Sequence, residues 1–140
     1  MLFTIWSYIL LLPLWAQNFV APFADRIHFV EELTKPAIYD AQDLHDGAIG
    51  RTYYEQGISW VEIEVSALNN TEMTLQYIVH EVAGHLHGKG ECEAYTLQEA
   101  LAWSAGQSGQ AKERARWLFK TFGELDCKER FPDYVPIGSY

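Results

Sequence analysis

Residues 80–91 read HEVAGHLHGKGE and place three histidines and two glutamates within twelve residues. Apolar residues recur at helical spacing through this region, at Leu75, Ile78, Val79, Val82 and Leu86. This periodicity predicts a helix whose apolar stripe faces the core. His80, Glu81 and His85 fall largely on the opposite side of that helix, so we expect them to face away from the core, where a cleft could lie.

The first two histidines of this stretch, His80 and His85, are five residues apart. The metal-binding helix motif H-E-x-x-H spaces them four apart and uses its glutamate as a general base. A regular α-helix turns about 100° per residue, so it would point these two imidazoles about 140° apart. A turn with an i→i+5 hydrogen bond would bring them nearly into line. The spacing therefore predicts a π-type distortion at residues 82–84, which Gly84 eases because it has no Cβ.

A metal site built on these two histidines needs further ligands. A catalytic zinc ion typically takes three protein ligands and leaves one position for water. Glu91 is the preferred third ligand, since Gly88 lets the chain leave the helix and turn back towards the metal. Glu93 is the second choice for this ligand, and His87 is possible although it points around the helix.

Glu81 directly follows the first histidine and is placed to take a proton from a metal-activated water. Imidazole and carboxylate ligands suit zinc. The pattern thus predicts Zn²⁺ bound by His80, His85 and Glu91, in a hydrolase that attacks peptide carbonyls. Four tyrosines could stabilise an oxyanion, although a place in the core or on the surface is the simpler interpretation: Tyr53, Tyr54, Tyr77 and Tyr95. The isolated His28 and His45 are interpreted as surface residues.

Residues 80–85, followed by Gly88-Lys89, resemble the H-E-L-L-G-H-G-S-G-K segment of the dipeptidyl peptidase III family of zinc peptidases. Residues 90–95, GECEAY, are similar to that family's E-E-C-R-A-E segment, whose second glutamate binds zinc. The resemblance covers roughly sixteen residues and implies Glu91 as the third ligand and Glu81 as the base. In that family the two motifs are far apart and a second lobe holds the peptide N-terminus. Dipeptide release is therefore not implied here.

The tight spacing of the two motifs also resembles a second pattern. Its H-x-x-G-x-x-E layout is similar to the H-x-x-G-x-x-H/D arrangement of metzincins. Both resemblances favour a zincin-type metallopeptidase. The alternative is a zinc-binding or interaction domain on a zincin-like scaffold that does not turn over substrate, since a short chain has little room for a substrate-binding lobe.

The rest of the chain predicts an α+β domain. Residues 51–55 and 58–65 predict two strands joined at Gln56-Gly57. Alternation in the second strand predicts a buried face with Val61, Ile63 and Val65 and a solvated face with Glu62 and Glu64. The expected architecture is a small zincin-like domain, in which a β-hairpin or small sheet packs on an active-site helix and two further helices.

The helix boundaries follow from capping signals and periodicity. Residues 25–35 predict a short helix, and Asn69 and Glu72 have capping-box spacing, so the active-site helix should begin near Asn70. A second helix is expected over residues 91–103. A third has apolar residues at Ala111, Ala115, Leu118, Phe119 and Phe122, and Gly123 should end it before an irregular tail. Trp60, Trp103 and Trp117 are expected in the core.

The first 24 residues contain no charged side chain, and residues 2–15 are almost entirely apolar. This run is shorter than the about 20 residues of a membrane span and suits a signal-peptide core, with Ala16 or Ala21 as cleavage sites. An uncleaved membrane anchor and a buried N-terminal helix remain open. The division expected is therefore residues 1–24 as signal peptide or anchor and 25–140 as the metallopeptidase-like domain, secreted or periplasmic, or alternatively membrane-anchored.

Charge and cysteine content set the remaining limits. The formal net charge of −9 argues against a nucleic-acid partner and leaves a peptide or protein substrate as the expected partner. The two cysteines, Cys92 and Cys127, could form one disulfide in an exported chain, and two unpaired thiols are an equal alternative.

Overall fold

The structure, a computed structural model, describes residues 5–33, 49–65 and 69–134. Three strands form one mixed sheet: β1 Ile27–Val30, β2 Gly50–Glu55 and β3 Ile58–Glu64. The strand order is β1-β3-β2, with β1 parallel and β2 antiparallel to β3. The α-helices among the described residues are α1 Ile5–Ile9, α2 Leu14–Val20, α3 Thr71–Ile78, α4 Glu91–Ser104, α5 Gly109–Leu118 and α6 Glu124–Arg130. The predicted α+β class, with a small sheet packed on a helix, is confirmed.

The β2–β3 hairpin closes through the two residues expected from the sequence. Gln56 and Gly57 have φ angles of 54° and 78°. Two consecutive positive φ values define the turn whose twist matches that of paired strands. A two-residue loop fixes the register, with Glu55 opposite Ile58 and Thr52 opposite Val61. The predicted strands are therefore confirmed, with β3 ending one residue earlier than expected.

The outer face of β3 differs from the prediction. Val61 and Ile63 are fully buried as expected, but Val65 is 40% exposed and Glu62 only 5% exposed, so the predicted faces of these two residues are wrong. The Glu64 carboxylate accepts a hydrogen bond of 3.2 Å from the Leu33 backbone N–H. β3 is the central strand and pairs with a neighbouring strand along both edges.

The helix predicted over residues 25–35 is wrong where the structure describes it. Ala21–Arg26 form a 3₁₀-helix, and Ile27–Val30 form the parallel strand β1. Ile27 is buried, His28 is exposed as expected, and the half-buried Phe29 packs its ring on that of Tyr8. This period of two is the strand pattern. Pairing along β3 then prevails over the weaker helical propensity of the segment, of which residues 34 and 35 lie outside the described residues.

Part of the apolar N-terminal run belongs to the main core. Buried side chains of α1, α2 and the turn between them pack with those of β3, α3 and the helix that follows it: Tyr8, Ile9, Leu12, Ala16, Val20, Val61, Ile63, Ile78, Val79 and Val82. Across the parts of the chain that are described, no helix combines the length and apolarity that crossing a bilayer requires. The division into a leader or anchor over 1–24 and a domain over 25–140 stays a prediction.

The C-terminal region is more helical than expected. α5 is followed by a π-helical turn, Phe119–Gly123, and then directly by α6. The prediction that Gly123 ends the helix before an irregular tail is thus wrong. A Cβ at this glycine would lie 2.9 Å from the Tyr95 Cβ, so the residue permits a close approach to α4. Gly123 therefore allows close helix packing and does not end the helix.

The tryptophans expected in the core are mostly at the surface. Trp103 is 63% exposed and Trp117 is 49% exposed, so both assignments are wrong, while Trp60 is half-buried. The Lys112 ammonium lies 4.4 Å from the ring centre of Trp103, and the Arg114 guanidinium lies 4.6 Å from that of Trp117. Long cationic side chains cover these rings, so the tryptophans need no place in the core.

Candidate metal centre

The helix that begins as α3 changes its hydrogen-bond pattern where the histidine spacing predicts it. Asn70 caps α3, because its side chain accepts a 3.1 Å hydrogen bond from the Met73 N–H. The Val79–Gly84 segment is π-helical, and the His85 N–H reaches the His80 carbonyl five residues earlier. The predicted π-type distortion is confirmed and extends over a longer segment than expected.

The start of this helix is correct but its predicted capping box is not. Asn70, rather than Asn69, is the cap. The Glu72 carboxylate instead accepts hydrogen bonds of 2.5 Å and 2.8 Å from the backbone N–H and hydroxyl of Ser108, the residue that caps α5. A tertiary contact has replaced the local one.

Gly84 lets α4 come unusually close to the π-helical segment. A Cβ built on Gly84 would lie 2.7 Å from the Ala94 Cβ and 3.0 Å from its Cα. Real Cβ atoms almost never approach so closely, so only glycine fits without a shift of α4. This contact places the first turn of α4, and hence Glu91, beside the two histidines.

A glycine corner reverses the chain between the histidines and Glu91. After the short 3₁₀ turn His85–His87, Gly88 adopts a left-handed conformation with φ of 76°. Its N–H donates to the His85 carbonyl at 3.0 Å, and the Lys89 N–H donates to the Gly84 carbonyl at 3.1 Å. The predicted role of Gly88 is confirmed, because the chain turns back here to begin α4 at Glu91.

Three side-chain atoms that could bind a metal ion lie close together at this corner. His80 Nε2 lies 3.2 Å from His85 Nε2 and 3.3 Å from Glu91 Oε1, which also contacts His85 Nε2. Two donors bound to one tetrahedral zinc ion at about 2.0–2.1 Å lie about 3.3 Å apart. The His80–His85 and His80–Glu91 distances match this spacing, the His85–Glu91 contact is closer, and the cluster could hold a metal ion.

The histidine rings are held by their surroundings. His85 Nδ1 lies 2.8 Å from the Lys89 carbonyl oxygen, to which an Nδ1–H would donate, leaving Nε2 for a metal. The His80 ring packs against the Tyr95 ring with 4.3 Å between centres. Its Nδ1 is buried and has no hydrogen-bond partner among the described residues. One ligand is thus oriented by a hydrogen bond and the other by ring packing.

The pKa values of His85 and Glu91 are strongly shifted in this cluster. Burial disfavours the charged form of His85, but its hydrogen bond to Glu91 and the charges of Glu81 and Glu91 outweigh burial and raise its pKa from 6.5 to about 9. Burial also disfavours ionised Glu91, yet hydrogen bonds from His80 and His85 lower its pKa far below its usual range. The cluster therefore favours a positive charge between these groups, which a bound cation would supply.

Glu81 lies beside the cluster without joining it. Its Oε1 is 3.9 Å from His80 Nε2, and its Oε2 accepts a 2.5 Å hydrogen bond from the Thr52 hydroxyl on β2. A Cβ on Gly50 would come within 3.2 Å of the Glu81 Cγ, so this glycine leaves room for the carboxylate. Strand β2 thus fixes the orientation of the predicted base.

The site is more enclosed than the sequence predicts. His80, Glu81 and His85 are 6%, 6% and 5% exposed, so the expectation that they face away from packed structure is wrong. The edge of the sheet covers one side through Thr52, and α4 covers the other. The Glu91 side chain, 19% exposed, is the most accessible member of the cluster.

The alternative ligands lie outside the cluster. The Glu93 carboxylate pairs with the Lys89 ammonium at 3.3 Å. His87 is exposed, and its Nε2 lies 2.9 Å from the Phe19 carbonyl oxygen, while its ring contacts the edges of two phenylalanine rings. Among the candidate tyrosines, Tyr95 packs on a ligand, whereas Tyr54 is 65% exposed.

A disulfide fastens the segment that carries Glu91. Cys92 and Cys127 are bonded, with 4.7 Å between their Cα atoms. The Cys92 N–H also donates to the Asp126 carboxylate at 2.9 Å. Of the two alternatives left open by the sequence, the structure has the disulfide, and it ties the first turn of α4 to α6.

Thr52 is not among the predicted site residues, although the hairpin register indicates its position. The two-residue loop at Gln56-Gly57 sets the hairpin register and so places Thr52 directly opposite Val61. Cross-strand partners share one face of a sheet. Because Val61 faces the core and the helix that carries His80, Thr52 must face that helix too.

Comparison with known proteins adds no relative: no protein-family model, curated protein or solved structure matches this chain. Any function assigned to the chain therefore rests on the geometry of residues 80–91 and their neighbours.

Proposed function

We propose that the protein is a zinc-dependent metallopeptidase, with Zn²⁺ held by His80, His85 and Glu91 and with Glu81 as the general base. One observation carries this proposal: two imidazole nitrogens and one carboxylate oxygen lie close enough to share a cation, and a separate, oriented carboxylate stands beside them. A structural zinc site is usually closed by four ligands and needs no adjacent base. Three ligands plus a base are typical of catalytic zinc.

A zinc ion at this site would polarise a carbonyl oxygen and acidify a water molecule. Glu81 Oε1 is the atom that would accept the proton of the attacking water, while Thr52 holds the other oxygen. Water oxygen then bonds to the peptide carbonyl carbon, the C–N bond breaks, and Glu81 passes the proton to the leaving nitrogen. The expected substrate is a peptide or protein.

Two further parts of the proposal rest on sequence and on the disulfide. The H-E-x-x-x-H and E-C-x-A segments support a zincin-type enzyme with similarity to the dipeptidyl peptidase III family. The Cys92–Cys127 bond supports export, either secreted or periplasmic, because disulfides persist in oxidising compartments.

Substitution of Glu81 by Gln tests the catalytic role. We expect Glu81→Gln to keep one equivalent of zinc and to lose hydrolysis of a peptide library, because the amide cannot accept the proton. Glu93→Gln is the matched control, since Glu93 lies nearby but pairs with Lys89, and it should keep both properties. Zinc is measured by elemental analysis before and after chelation.

A second candidate function is a non-catalytic zinc-binding or interaction domain. The burial of His80, Glu81 and His85 favours it, because a peptide carbonyl must reach these groups. It predicts zinc binding without hydrolysis in the wild type. A wild-type protein that binds zinc and cleaves no peptide would therefore replace the first proposal with this one, and a protein that binds no transition metal would remove both.

A further inference from the structure

The turn between α1 and α2 exposes a compact group of large apolar side chains. Leu10, Leu11 and Leu14 are 70%, 56% and 72% exposed, and Trp6 on α1 is 49% exposed. We call these four residues the hydrophobic tip. Their neighbours Ile9 and Leu12 are only 1% and 3% exposed, so the turn has one face in the core and one towards solvent.

The segment that forms the hydrophobic tip carries no charged side chain. Residues 1–24 contain no Asp, Glu, Lys or Arg, although the whole chain contains 29 such residues. Two exposed aromatic rings elsewhere are covered by cations, Trp103 by Lys112 and Trp117 by Arg114. The hydrophobic tip has no charged residue in its own segment to serve this purpose. It is therefore suited to an apolar environment rather than to an aqueous surface.

The backbone N–H groups of the turn are paired within the protein. The N–H groups of residues 10, 11 and 12 donate to the carbonyls of Trp6, Tyr8 and Ile9 at 3.1, 2.9 and 3.0 Å. The Gln17 side-chain amide donates to the Leu12 carbonyl at 2.8 Å. Unpaired backbone groups are costly in hydrocarbon, so this pairing removes the main obstacle to insertion. The fixed turn also lowers the conformational entropy lost on binding.

We propose that the hydrophobic tip inserts into the interface of a lipid bilayer and holds the folded protein on the membrane surface without spanning it. Leu10, Leu11 and Leu14 would enter the acyl region, with Trp6 at headgroup level, where tryptophan is enriched. The lipid should be zwitterionic, because the tip has no basic residue and the chain carries a formal net charge of −9. The proposal is independent of the metal centre.

Flotation with phosphatidylcholine vesicles tests the proposal on the full chain. We expect the wild type to float with the vesicles. The triple variant Leu10→Gln, Leu11→Gln, Leu14→Gln should bind at least about tenfold less, since three leucines no longer enter hydrocarbon. Leu125→Gln on α6 is the matched control, because Leu125 is 64% exposed, and it should bind like the wild type. Circular dichroism checks that both variants stay folded.

Four results would overturn the proposal. The wild type could stay in the bottom fraction, or the folded triple variant could float as the wild type does. Binding that requires an added anionic lipid would contradict the hydrophobic mechanism. A dimer in light scattering that the triple variant converts to a monomer, with no vesicle binding, would assign the tip to a second copy of the chain.

Discussion

Two π-helical turns flank α4, and they differ in what they do. Val79–Gly84 and Phe119–Gly123 each end in a glycine whose missing Cβ lets α4 approach. Gly84 would place a Cβ 2.7 Å from the Ala94 Cβ, and Gly123 would place one 2.9 Å from that of Tyr95. Only the first turn aligns two histidines. A π-turn is thus a packing device, and it becomes a candidate metal site only when i and i+5 carry ligands.

The largest effect is expected from Gly84→Ala. Its methyl group must push α4 away, which separates Glu91 from the histidines. We expect metal affinity to fall at least about 100-fold and the metal-free protein to lose about 1–3 kcal/mol of stability. Chelator competition and thermal unfolding measure the two quantities. Adding Ala94→Gly should restore much of both, and a double variant as impaired as the single one would contradict this steric explanation.

The disulfide is the next strongest constraint on Glu91. In the variant Cys92→Ser, Cys127→Ser, α4 loses its covalent tie to α6 across 35 residues of sequence separation. We expect the free energy of unfolding to fall by about 2–4 kcal/mol, measured by urea denaturation. Metal affinity should weaken as well. Reduction of the wild type serves as the control and should reproduce both losses; an unchanged affinity would show that Gly84 packing alone positions Glu91.

Gly123→Ala sharpens the comparison between the two turns. The same methyl group is added against the same helix, so we expect a similar loss of about 1–3 kcal/mol. Metal affinity should change less than about tenfold, because this turn supplies no ligand and the disulfide still ties the first turn of α4 to α6. Isothermal titration with zinc measures it. A loss of metal affinity equal to that of Gly84→Ala would mean that a shift at either turn displaces Glu91 to the same extent.

The smallest effect expected is a pH dependence confined to the first turn. The raised His85 pKa stabilises the metal-free fold below about pH 6.5, and this contribution is lost as pH rises through about 9. The lowered Glu91 pKa stabilises it above about pH 4.5, and this contribution is lost as pH falls further. Metal-free stability should therefore decline from pH 6.5 to 9 while zinc affinity rises, because zinc displaces the His85 proton. Parallel trends would contradict this linkage.

Local patterns predicted much of the site. Histidine spacing located the π-turn, Gly88 located the corner, and Glu91 followed from both. The position of Thr52 needed the hairpin register as well. The burial of His80 and Glu81 was not predictable, because it depends on β2 and α4: Thr52 on β2 lies 29 residues before Glu81, and α4 begins 11 residues after His80.

The errors in fold share one physical cause. The sequence predicts a helix over residues 25–35, yet Ile27–Val30 pairs with an edge of β3 as a strand. Gly123 was interpreted as a terminator, yet contact with Tyr95 explains it. Glu72 has capping-box spacing with Asn69, yet its carboxylate accepts hydrogen bonds from Ser108, the residue that caps α5. In each case a tertiary partner, invisible in a local window, decided between two locally acceptable structures.

Gln98 on α4 belongs to a buried amide network around Gln76. The Gln98 amide donates to the Gln76 carbonyl oxygen at 3.0 Å, and the Gln76 amide donates to Gln107 at 2.9 Å. Hydrogen bonds restrict angles, whereas apolar contacts allow sliding and rolling. Gln76 lies four residues before His80. The network therefore fixes the rotation of α3 about its own axis, and this rotation determines the direction in which the His80 imidazole points.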